Sequence, residues 1–434
     1  MTVVLRRLTP AEFGEMSRDR SITRDDPDAV AVVSRIVADV RSRGDAAVRE
    51  WTKRVDGVDL DVTRVDVASL GSAWEQTPQQ VRDALERAAA HIREFHEHQR
   101  DTTPRGDGSA WLRPEPVRRA GCYVPGGRAA YPSTVLMSVI PAQVAGVSEV
   151  VVTSPPAAHP EHPSNPTVHP FVAAAAHLLG VEEVQAIGGA HAVAALAYGT
   201  ESLTRVDKLV GPGNLYVTLA KRAVFGDVGV DQIAGPSEIL VVASSGAGAA
   251  LIAADLVSQL EHDPLAWAVC LSDDPALLDS VAERFTVAAG AAARSGVIAD
   301  ASENAIAVRC DDMSQAMALV ETFAPEHLSL QGTAAEAMRD SVRAAGAIFC
   351  GALSPVSIGD YVAGPNHTLP TSGAARYRGP LSVMDFMRWP SIVQLRRADF
   401  DELAPIACAL AEAEGLPGHA AAIRARMATA ERAS

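Results

Sequence analysis

Apolar positions along this chain recur on two different periods, and the change from one to the other organises it. Residues 29–43 carry apolar side chains at helical spacing and stop at Gly44, and a longer helical stretch covers 78–99. From Gly121 onward, short apolar runs alternate with helical segments. Residues 121–124 read as a strand entering Pro125-Gly126-Gly127, 133–145 as a helix broken or started near Pro141, and 149–153 as a buried strand. Then come helix 171–179, strand 184–187, helix 191–198, strand 208–210 and helix 215–225. After Gly235-Pro236 the alternation resumes with strands at 239–243, 266–271, 305–309 and 347–350 and helices at 249–260, 275–289, 313–323 and 334–345. Residues 400–430 return to amphipathic helix.

Strands separated by helices imply parallel sheets joined by right-handed crossovers. The fold class expected is α/β, with two incomplete Rossmann-like domains and small terminal helical extensions. The break near residue 236 separates the two runs of alternation.

At 434 residues the chain can bury more than one core, and 38 Lys and Arg against 53 Asp and Glu leave a formal charge of -15. That balance repels phosphate backbones, so nucleic acid is not an expected partner. Five well-separated cysteines with no C-x-x-C pair read as free thiols of a reducing compartment. Residues 1–10 lack the apolar core of a signal peptide, and the most apolar stretch, 239–260, is interrupted by Ser244, Ser245, Asp255 and Gln259. A cytoplasmic protein with no membrane span is the expectation.

Uncommon polar residues punctuate this frame, and the frame puts them at carboxyl edges of strands and ends of helices, where open α/β sheets bind ligands. Gln259 and His262, three apart, share one helical face; both can ligate a divalent metal, though a solvated helix end also explains them. Glu326-His327, just before an apolar run, can serve as an acid/base pair or simply as a turn. Asp360 and His367 stand in a Gly/Pro-rich loop, from which Asp360 can offer a carboxylate to a metal. Glu414 and His419 flank a Gly/Pro break between two terminal helices, where capping is the alternative. No G-x-G-x-x-G follows a strand, but Tyr123-Val124-Pro125-Gly126-Gly127, Gly188-Gly189-Ala190-His191 and Gly211-Pro212-Gly213-Asn214 each join a strand to a helix. Glycine there lets backbone amides approach a phosphate. Residues 159–170 hold three histidines and four prolines, and read as a surface insertion rather than a metal site.

In their order and spacing, YVPGG, STVLM with PAQVAG, GGAHAVAALAYGT, KLVGPGN, AGPSEILV, DLVSQLEH, APEHL and GDYVAGPNH resemble histidinol dehydrogenases, from SITR near residue 21 to the last helices. The resemblance implies a zinc enzyme that oxidises L-histidinol to L-histidine through the aldehyde with two NAD. It implies zinc ligands at Gln259, His262 and Asp360, with His419 supplied by the partner subunit of a homodimer. It implies Glu326 and His327 as the acid/base pair, and substrate contacts at Ser237, Gln259, His262, His327, Asp360, His367, Glu414 and His419. NAD contacts fall at Tyr123, His191 and Asn214, although the family usually carries Gln where this chain has His191. The domains implied are an N-terminal extension over 1–25, a metal and substrate domain from 26–120 with 237–381, an NAD domain over 121–236, and a dimerising helical segment over 382–434. A zinc hydrolase using Glu326 as base is the rival reading of the same residues, and the glycine turns count against it.

Overall fold

The computed structural model describes residues 3–18, 26–101, 109–126, 130–157 and 167–431. The chain opens on strand β1 (Arg6–Leu8) and helix Pro10–Arg18, then runs through helices Pro27–Arg43, Asp45–Asp56, Val67–Gln76 and Gln79–Asp101. Two short strands follow, β2 (Ala110–Leu112) and β3 (Glu115–Pro116), before the first parallel run: β4 (Arg119–Tyr123), β5 (Glu149–Ser154), β6 (Glu183–Ala186), β7 (Lys208–Val210) and β8 (Gly229–Val230). The second run is β9 (Glu238–Ala243), β10 (Trp267–Ser272), β11 (Ala305–Arg309), β12 (His327–Gln331) and β13 (Ala347–Cys350). The chain closes on β14 (Met387–Arg388), β15 (Ser391–Val393) and helices Arg397–Ala413 and Pro417–Glu431.

Residues 1–100 and 117–386 form one compact unit. Within it lie two sheets, parallel throughout, ordered β6-β5-β4-β7-β8 and β1-β11-β10-β9-β12-β13. Strands of the larger sheet are apolar on both faces because helices cover both. Ile239, Val241, Ala268, Cys270, Ala305 and Ala307 point to one core with helices Ala249–Leu260 and Pro275–Ala291. Their neighbours Leu240, Val242, Val269, Ile306 and Val308 point to another, with Phe13 and helix Met313–Phe323. This strict alternation fixes the register, since a one-residue slip would exchange the two cores.

Helix Pro27–Arg43 starts where Asp26 accepts the Ala29 amide and stops at Gly44, as its apolar spacing indicates. Its buried side chains, with those of Asp45–Asp56, share a core with helices Gly189–Tyr198 and Leu215–Val224 of the five-stranded sheet. The other unit, residues 101–116 with 387–434, pairs β14 with β3 and β15 with β2, both antiparallel. Its two helices enclose Cys408, Ala411 and Ala420.

Three local expectations are corrected. Helix Pro132–Ala145 continues through Pro141, held by burial along nearly its whole length. Residues 334–345 are not one helix: Thr333–Glu336 is helical, Arg339–Ser341 is a 3-10 turn, and Ala344 packs with Ala324 and Ala375. Tertiary burial there overrides the helix preference of alanine. Asp360 stands in a short helix, Val356–Tyr361, rather than a loop. The terminal segment is two helices, as the Gly/Pro break indicates, parted where Gly415 takes φ 72°. Among the described residues no helix is long and apolar enough to cross a membrane.

Candidate active site

The acid/base pair lies at the amino edge of the larger sheet, where its place just before an apolar run puts it. Glu238 begins β9 and His327 begins β12, side by side with His327 in register with Ile239. Both glutamates are buried and cross-bonded: the Glu238 amide donates to Glu326 Oε2 at 2.7 Å, the Glu326 amide to Glu238 Oε2 at 3.3 Å, and the Ser372 amide to Glu238 Oε1 at 2.9 Å. His327 Nδ1 lies 2.8 Å from the Glu238 carbonyl oxygen. A carbonyl only accepts, so Nδ1 carries a proton, and the nitrogen left to gain or lose one is Nε2. Nε2 is buried without a hydrogen-bond partner, 3.7 Å from Asp360 Oδ1.

Charge in this cluster follows from burial and neighbours. Burial raises the Glu326 pKa. Burial also disfavours the His327 cation, but Glu326 and Asp360 outweigh it and the His327 pKa rises. For Asp360, burial favours the acid, and His327, His367 and His262 reverse this, holding its pKa below the ordinary value. The carboxylates therefore stabilise an imidazolium once it forms.

His367 donates from Nδ1 to the Asp360 carbonyl at 2.8 Å, and its Nε2 faces Thr134 Oγ1 at 3.3 Å. Thr134 belongs to the helix after β4, so the carboxyl edge of the smaller sheet meets the amino edge of the larger. Ser237, partly buried, directly precedes Glu238. Gln259 is buried in the last turn of its helix, and His262 follows with an exposed side chain whose protein surroundings still disfavour its charged form. A helix carboxyl end with nitrogen and oxygen donors suits a divalent cation. Among the described residues, however, no group of three or more His, Cys, Asp or Glu converges to hold one. Glu414 and His419 stand exposed at the turn between the last two helices, in the other unit.

The nucleotide candidates gather at the carboxyl edge of the smaller sheet. Tyr123 ends β4, and its hydroxyl accepts the Gly189 amide at 3.1 Å. His191, 1% exposed, sits two residues on, with Nε2 3.2 Å from Thr52 Oγ1 and 3.8 Å from Asp56 Oδ2. Thr52 spends its own proton on the Val48 carbonyl, so His191 Nε2 is the donor. Asn214 caps helix Leu215–Val224, its carboxamide oxygen accepting from Tyr216 and Val217. A role toward a ligand would fall to its amide NH2. Gly127, SITR and two of the three loop histidines lie outside the described residues, while His169 caps helix Pro170–Leu178. Glycine turns at the ends of parallel strands fit a dinucleotide in kind.

Sequence reasoning overlooked Glu238, Thr52, Asp56, Lys221 and Asp231. Glu238 carried a signal, a lone acid heading the apolar run Ile239-Leu240-Val241-Val242-Ala243.

The histidinol dehydrogenase family model matches residues 19–427. A histidinol dehydrogenase of Parasynechococcus marenigrum is 47% identical over 97% of this chain and 96% of its own, and one of Methanopyrus kandleri 44% over 95% and 98%. The crystal structure of histidinol dehydrogenase from Elizabethkingia anophelis superposes with a TM-score of 0.90 at 30% identity, covering 99% of both chains. With the family model spanning nearly its whole length, the chain belongs to the histidinol dehydrogenase family.

Proposed function

We propose that the protein oxidises L-histidinol to L-histidine through bound L-histidinaldehyde, using zinc and two NAD, as a cytoplasmic homodimer with shared active sites. The observation carrying this reading is the His327 ring, whose Nδ1 is committed to the Glu238 carbonyl with Glu326 close by, while Nε2 makes no hydrogen bond and faces Asp360. Residues 121–236 would carry NAD at Tyr123, His191 and Asn214, and residues 26–120 with 237–381 the metal and substrate.

His327 Nε2 takes the hydroxyl proton of the alcohol as the carbinol hydride departs, and the neighbouring carboxylates stabilise the imidazolium. Glu326 then takes a proton from water attacking the aldehyde, and the resulting hydrate gives up the second hydride to leave the acid. Ser237 and His367, with the partner subunit's Glu414, orient the substrate. Gln259, His262 and Asp360, with the partner subunit's His419, would hold zinc. When bound, zinc would fix the substrate's imidazole and amino nitrogens, and NAD would accept the hydrides.

Mixing the protein with histidinol and NAD tests the reading. Two reduced nicotinamides per histidinol, with free aldehyde absent, is the expected result; absorbance that never rises defeats it. His419→Ala is expected to stay folded and lose its zinc, read by elemental analysis, and full metal content would remove that ligand assignment.

A further inference from the structure

Lys221 and Asp231 form an ion pair at 2.5 Å, with side chains 2% and 1% exposed, away from the acid/base cluster. Removing two charges from water is costly unless every donor and acceptor is used. Here each member of the pair also bonds one residue, Gly211. Asp231 Oδ2 accepts the Gly211 amide at 2.8 Å, Lys221 Nζ donates to the Gly211 carbonyl at 2.7 Å, and Asp231 Oδ1 also takes the Gln232 amide at 2.6 Å. Gly211 itself has φ 116°, and a Cβ there would fall on the Tyr123 carbonyl oxygen. The pair thus clamps both peptide groups of the residue that opens the Gly211-Pro212-Gly213-Asn214 turn and presses it against β4.

The clamp also reaches the other sheet. Beyond Asp231, Gln232 Nε2 donates to the Leu369 carbonyl at 2.7 Å and the Gly235 amide to Thr371 Oγ1 at 2.5 Å, while the next residue, Ser372, is bonded to Glu238. Hydrogen bonds therefore run from the glycine turn to the residue that orients His327.

Building on the NAD reading above, we propose that Lys221 and Asp231 are positioning residues for the dinucleotide: they hold the Gly211 turn in its binding conformation and at a fixed place relative to His327. Neither touches the reacting atoms. A preformed turn binds without first being ordered, so loosening it weakens the cofactor.

The test is the double variant Lys221→Met with Asp231→Leu, which removes both charges together and so strands neither. Calorimetry is expected to show NAD binding at least tenfold weaker and histidinol binding unchanged, with KM for NAD rising more than kcat falls. A folded double variant that binds NAD like wild type overturns the proposal. Should it not fold, deuterium exchange of the wild type decides. The Gly211 amide protected before NAD is added supports the clamp, and exchange there within seconds refutes it. Wild type that binds no NAD at all would instead strike the proposed function.

Discussion

Two buried histidines in this molecule each lie close to a carboxylate, and they have opposite electrostatic fates. His327 has Glu326 at 3.5 Å and Asp360 at 3.7 Å, and its cation is favoured. His191 has Asp56 at 3.8 Å, and burial drives its pKa down to about 4, while burial alone carries Asp56 up to about 6. Proximity of opposite groups does not by itself make an ion pair. The second carboxylate at His327 is what repays the loss of water, and only that histidine is equipped to hold a proton in transit.

Removing the favoured histidine should have the largest effect. His327→Gln is expected to slow histidinol oxidation roughly a thousandfold with the fold intact, as loss of a general base does, measured by steady-state rates and circular dichroism. Glu326→Gln retains an oxygen for the Glu238 amide. It should spare most of the first oxidation and slow aldehyde oxidation about a hundredfold, and equal losses in the two half-reactions would abolish the division of labour.

The His191 side of the comparison is read in stability against pH. The folded value of about 4 lies below the ordinary 6.5, so His191's contribution is complete above pH 6.5 and is lost as the pH falls toward 4. Asp56, about 6 against an ordinary 3.8, contributes below 3.8 and loses that contribution as the pH rises through 6. The slopes oppose and nearly cancel. His191→Gln should therefore gain about 2 kcal/mol at pH 5 relative to its effect at pH 7.5, seen in urea midpoints. Thr52→Val, which takes the acceptor from His191 Nε2, should cost the least, about 1 kcal/mol at neutral pH by the same measurement.

The sheets were legible in the sequence because strands covered on both faces are apolar without interruption, as at Ile239 to Ala243. Residues 334–345 misled because local preference says nothing of a distant Ala375 against which Ala344 packs. At the site, Gln259, His262, Glu326, His327, Asp360 and His367 could be singled out by type and spacing. Which of them meet across the two sheets could not, since a sequence orders the ends of strands along the chain and does not say which lie face to face. Glu238 was hidden for a related reason: heading an apolar strand, it reads as a solvated end, whereas the fold inserts it under two catalytic candidates. Lys221 and Asp231 meet only when β8 returns beside β7.

The short pairing of Arg6–Leu8 with Ile306–Val308 has a practical consequence for anyone handling the protein. Those first residues cover a flank whose Ala305, Ile306, Ala307 and Val308 are buried. Removing them would bare the backbone of β11 as a ready template for a foreign strand, and the shortened protein should aggregate more readily.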